Sequence, residues 1–124
     1  MREILFRGKR IDNGEWVYGY FYEDIGSFIK ERASSVSTNT HHVAHSTVGQ
    51  YTGLTDKNGK RIFEGDVVAY PDYGNLAVVW DDGTFQLMYA DTFYDLLDCG
   101  TSGMCIVIGN IHDNPELLEE IERG

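Results

Sequence analysis

The chain has 124 residues, 42% hydrophobic and 24% charged, and is read as one domain spanning residues 1–124. A net charge of −10 argues against DNA or RNA as a bulk partner, because phosphate binding needs an excess of cations on the contacting face. No apolar run approaches the ~20 residues of a membrane span, and the opening MREILFRGKR breaks into charges too early for a signal-peptide core, so a cytoplasmic location without membrane contact is expected.

Residues 3–11 read as a strand, and Asp12-Asn13-Gly14 as a tight hairpin. The returning arm, residues 15–23, puts Trp16, Tyr18, Tyr20 and Tyr22 on one face and Val17, Gly19 and Phe21 on the other. Both faces are partly apolar, which predicts a strand lying between two layers. Phe28-Ile29 marks a third strand. The polar stretch that follows, to about residue 47, lacks periodicity and reads as a mobile or partner-facing loop.

Residues 48–54 are strand-like, and Asp56-Lys57-Asn58-Gly59 is a strong turn. The chain returns through Ile62-Phe63, and Glu64-Gly65-Asp66 bends it into residues 67–70. Turns at 71–74 and 81–83 separate two further strands, 75–80 and 85–89. This spacing of short strands is that of a small barrel or sandwich. Tyr94 to Leu97 read as a helical turn or an edge strand. Met104 to Ile111, rich in β-branched residues, read as a central closing strand. Asn114 as N-cap and Pro115 at the first helical position predict a short helix, with Leu117, Leu118 and Ile121 as its apolar stripe.

The segments VGQYTGLTDKNGKRIFEGDVV and IVIGNIHDNPELLEE, with the opening REILFRGKRIDNGEWVYGYF, resemble the YopX family of small proteins encoded by phages and prophages. The likeness runs from the first residues to about Glu120 and is weakest over 33–46 and 91–103. It implies an SH3-like barrel or roll, here with an N-terminal β-hairpin extension and a short C-terminal α-helix, in a mainly β protein of the bacterial host cytosol. It carries no enzymatic activity with it. Gly53, Asp56, Asn58, Gly59, Gly65, Asp66, Gly109, Asn110, Asn114 and Pro115, which lie in these motifs, are read as structural.

His41, His42 and His45 are the one grouping that resembles a metal site. Loop-forming neighbours and the lack of a further ligand favour incidental histidines, so neither metal nor cofactor is expected. Asp66 after Gly65 sits where a catalytic carboxylate can sit, yet capping of the bend accounts for it better. The Asp56–Gly59 turn lacks the ligands of a calcium loop. Cys99 and Cys105, without a secretion signal, read as reduced thiols.

Charge is divided along the chain. Residues 1–62 hold nine Lys/Arg and seven Asp/Glu; residues 63–124 hold one Lys/Arg and 13 Asp/Glu. With no catalytic set in view, the expected function is non-enzymatic protein binding through an acidic surface, toward a basic partner or a second copy in a homo-oligomer. The alternatives are single-stranded nucleic-acid binding through the aromatic hairpin (Trp16, Tyr18, Tyr20 with Arg7, Lys9 and Arg10) and a metal-dependent enzyme at the histidines.

Overall fold

A computed structural model describes residues 4–32, 38–71, 73–95 and 104–123. Among these residues the protein is mostly β, with antiparallel sheets and one short C-terminal α-helix, as expected. It falls into two compact units, residues 1–51 and 52–124. No helix among the described residues is long and apolar enough to cross a membrane.

The first unit holds β1 (Phe6–Lys9), β2 (Trp16–Glu23), β3 (Ser27–Arg32), β4 (Thr38–Val43), a 3-10 turn (His45–Thr47) and the start of β5 (Gly49–Thr55). Its strands lie in the order β4-β3-β2-β1-β5. The Asp12-Asn13-Gly14 hairpin forms because Gly14 takes φ 73° and the Asn13 side chain accepts the Glu15 N–H at 2.9 Å. Val17, Gly19 and Phe21 of β2 face inward. Val17 packs with Ile29 and Val43, and Phe6, Phe21 and Val48 close around them.

Two expectations are corrected here. The polar stretch read as a loop contains β4, paired with β3 along its whole length from Ser27–Val43 to Arg32–Thr38. The sequence TNTHHV hides it because only Val43 is buried. β2 is not sandwiched between layers: Tyr18, Tyr20 and Tyr22 remain 42%, 62% and 37% exposed.

In the second unit β5 continues to Thr55 and turns into β6 (Arg61–Phe63). A five-stranded sheet follows, in the order β10-β9-β8-β7-β11, from β7 (Asp66–Tyr70), β8 (Gly74–Asp81), β9 (Thr84–Tyr89), β10 (Thr92–Asp95) and β11 (Ile106–Asn110). Asp82 and Gly83 at φ 52° and 77° make the β8–β9 turn, which is why Asp-Gly stands there. Alternation along β7 buries both faces. Val68 joins Ile62, Leu76, Val78, Phe85, Leu87 and Cys105 on one side. Val67 joins Ala77 and Ile121 on the other, beneath α1 (Pro115–Arg123). Each fully buried Val, Leu or Ile among them contributes about 1.5–3 kcal/mol.

β11 was expected to be central but lies at an edge, bonded to β7 alone among the described strands. Its Ile106 and Ile108 stay 37% and 44% exposed, so an apolar run did not mean burial on both faces. With β10 at the opposite edge, the hydrogen-bond ladder of the expected roll does not close among the described strands. Tyr94 and Asp95 belong to edge strand β10; Leu96 and Leu97 lie outside the described residues.

Candidate binding face

Pairing register sorts the side chains of the first unit. Lys9 is opposite Trp16, Arg7 opposite Tyr18, Tyr20 opposite Lys30, and Tyr22 opposite Phe28, which in turn faces His42. Because side chains alternate, these residues share one face of the sheet. Glu23 and Glu31 fall on the other face, opposite Ser27 and Asn39. The outer face therefore combines aromatic rings with cations and, among the described residues of β1 to β4, holds no carboxylate.

The rings are ordered by their neighbours. Tyr22 and Phe28 stack at 5.4 Å, and Phe28 and His42 at 4.9 Å, forming a ladder across three strands. The Lys30 ammonium lies 5.5 Å from the Tyr22 ring centre. The Arg7 guanidinium sits 4.5 Å over Trp16, with the Lys9 ammonium at 5.7 Å. Tyr20 is the most exposed of the tyrosines on this face.

The expected site residues are thus partly gathered. Trp16, Tyr18, Tyr20 and Lys9 stand on one face. Arg7 shares it but is only 6% exposed, so its charge is held beneath Trp16 rather than offered outward. Arg10 lies beyond β1 and pairs with Asp12 at 2.6 Å, holding that carboxyl below its usual pKa. Phe28, Lys30 and His42 were missed because β3 and β4 had to be placed before they could be assigned to this face.

The three histidines are not brought together. His41 and His42, adjacent on a strand, point to opposite faces. His41 Nε2 is 3.4 Å from Glu31 Oε1, and His45 Nδ1 is 2.9 Å from Ser27 Oγ. Among the described residues no three His, Cys, Asp or Glu side chains are grouped to hold an ion.

The motif residues build the fold of the second unit. Asp56 Oδ1 accepts the Asn58 and Lys60 N–H groups and Oδ2 the Val107 N–H, all at 2.9 Å. Burial alone would raise the Asp56 pKa; these backbone donors outweigh it and hold the carboxyl below its ordinary value. Asp66, 2% exposed, accepts the Phe63 N–H at 2.8 Å across the Glu64-Gly65 bend. Gly53, Gly59 and Gly65 all have positive φ.

At the helix entrance, Asn110 Oδ1 accepts the His112 and Asp113 N–H groups at 3.0 and 2.9 Å. Asn114 occupies the N-cap position before Pro115, but its Oδ1 turns back to accept the Asn110 N–H at 3.2 Å. The expected side-chain cap on the helix is replaced by the Leu117 N–H donating to the Asn114 carbonyl at 3.0 Å. Gly109 is needed because a Cβ there would overlap Asn114 Oδ1. Cys105 is a buried free thiol; Cys99 lies outside the described residues.

The chain is similar to protein EF1440 from Enterococcus faecalis, whose crystal structure shares 27% identity with it at a TM-score of 0.61, covering 95% of this chain and 99% of that one. No curated protein matches it. The family model described as YopX protein matches residues 5–119. With the motifs of that stretch accounted for bond by bond in the second unit, the chain belongs to the YopX protein family.

Proposed function

We propose that this chain is a non-enzymatic accessory protein of phage or prophage origin that works by binding a macromolecular partner. Its contact surface is the open aromatic face of the first unit. The observation that carries this reading is the file of Tyr18, Tyr20 and Tyr22, left 42%, 62% and 37% exposed on a regular sheet. Contiguous exposed apolar surface of this kind marks interaction sites, and tyrosine offers a large rigid contact at low entropy cost. The dispersal of His41, His42 and His45 favours binding over metal chemistry.

The acidic second unit supports a second contact. Residues 52–124 hold 14 Asp/Glu against four Lys/Arg, and Glu116, Glu119, Glu120 and Glu122 of α1 are exposed. Such a surface steers a basic protein toward it. The deciding experiment is capture from bacterial lysate with wild-type bait and a Tyr18→Ala/Tyr20→Ala variant. Loss of partners with the variant, at unchanged melting temperature, is expected. Equal capture by both baits would remove the aromatic face as the contact surface.

A further inference from the structure

We infer that the aromatic face binds single-stranded nucleic acid, with unpaired bases against Tyr18, Tyr20 and Tyr22 and phosphates against Lys9 and Lys30. This rests on the reading of that face as the contact surface and names its occupant.

Three observations carry it. The first is spacing. Residues two apart on a strand stand about 7 Å apart along it. That is about twice the 3.4 Å rise of stacked nucleotides, so the period of the tyrosine file matches every second base of a stacked strand. Tyr22 already carries Phe28 against its ring, which leaves Tyr20, the most exposed of the three, as the principal platform. The second is charge. Lys30 is paired opposite Tyr20 and holds its ammonium 5.5 Å from the Tyr22 ring centre, while Lys9 is opposite Trp16 at the other end of the hairpin. No carboxylate shares the face among the described residues of β1 to β4, so a phosphate chain crosses it without local repulsion.

The third concerns the net charge, the strongest objection to nucleic acid. Residues 1–51 carry six Lys/Arg and six Asp/Glu and are neutral; the whole excess of acid lies in residues 52–124. At an ionic strength of 0.1 M, charges more than about 10 Å apart are largely screened, so the charges on the face itself count for more than the net charge of the chain. A duplex keeps its base faces stacked inside and would meet only the two lysines. The carboxylates of an acidic protein would use the lysines and have no flat π-face of their own to match a two-residue file of rings. Unpaired bases with their phosphates use both features, which is the chemistry of single-strand platforms.

The test is fluorescence anisotropy of a labelled oligothymidylate of about 15 nucleotides, with a duplex of equal length as control, on the full chain. Single-strand binding that exceeds duplex binding is expected. Tyr20→Ala should weaken it at least about fivefold, since stacking on one aromatic ring supplies roughly 1–3 kcal/mol. Lys30→Ala should make the salt slope shallower by about 0.7, the contribution of one phosphate contact on a single strand. Melting curves of both variants control for folding, and both side chains are exposed. No binding, equal duplex binding, or binding that neither variant changes would overturn the proposal.

Light scattering and nuclease-treated lysate capture separate the two levels of inference. Self-association or nuclease-resistant capture that Tyr20→Ala abolishes, without oligonucleotide binding, overturns nucleic acid as occupant and leaves the face as contact surface. Indifference of every readout to Tyr20→Ala overturns both.

Discussion

The Asp56 carboxylate accepts the Val107 N–H at 2.9 Å, joining a β-turn to an edge strand 51 residues further along the chain. The Lys57 N–H donates to the Cys105 carbonyl at 2.9 Å beside it. The β5–β6 turn thereby takes up backbone groups that β11, paired to β7, would leave unbonded at a sheet edge. A four-residue motif that looks purely local from its spacing is a tertiary clasp.

Replacing Asp56 by Asn leaves one amide oxygen where two carboxylate oxygens accept three backbone N–H groups. A donor then faces a donor at one side, and a loss of about 1–3 kcal/mol is expected. The pH dependence follows from linkage. The folded-state pKa lies below the unfolded one, so the contribution is complete above the unfolded value, near 3.9, and is lost as pH falls through the folded value. Urea midpoints of wild type and Asp56→Asn should differ most at neutral pH and converge in strong acid. A difference that stays constant across that range would show that the carboxylate charge is not what holds the turn.

Gly109→Ala brings a Cβ into Asn114 Oδ1 at the entrance to α1. Overpacking of this kind costs about 1–3 kcal/mol. Asn114→Ala removes the obstructing oxygen and also the acceptor for the Asn110 N–H. The two substitutions should therefore couple: Gly109→Ala should cost less in the Asn114→Ala background than in wild type. A double-mutant cycle by chemical denaturation measures this, and strict additivity would mean that the two side chains do not meet.

These two sites show how far the sequence could be read. Asp56-Lys57-Asn58-Gly59, Asp82-Gly83 and Asn114-Pro115 act through neighbours in the chain, so their turns and the helix start were legible. The partner of Asp56 was not, since nothing near Val107 in sequence points 51 residues back. β4 was missed because Thr38–Val43 has no apolar alternation; its pairing with β3 and the stacking of His42 on Phe28 define it. The tyrosine file was visible as a period of two, but its exposure and its pairing with Lys30 depend on which strands cover which face.

Ile25 is fully exposed at φ 49°, in the β2–β3 turn. A β-branched residue is strained in the left-handed region, by roughly 1–2 kcal/mol, and this side chain gains nothing from burial. Asn tolerates that conformation better. Ile25→Asn is expected to stabilise the protein by about 0.5–1 kcal/mol, read as a higher melting temperature. A lower one would show that the isoleucine makes a contact in solution that offsets its backbone strain.

Cys105 is completely buried in the core of the second unit. Burial raises its thiol pKa, and the neighbouring Asp56 charge raises it further. Both effects suppress the reactive thiolate, and the surrounding Ile62, Val68 and Leu87 exclude reagent. Iodoacetamide should therefore modify Cys105 in the native protein only as fast as the core opens, and readily in urea. Mass spectrometry of the peptide containing residue 105 follows that site by itself. Urea below the unfolding transition should accelerate labelling in proportion to the unfolded population, as expected when opening is global. Labelling at the rate of a free thiol under native conditions would mean that the β5–β6 hairpin does not cover this part of the sheet, and the Asp56 clasp would fall with it.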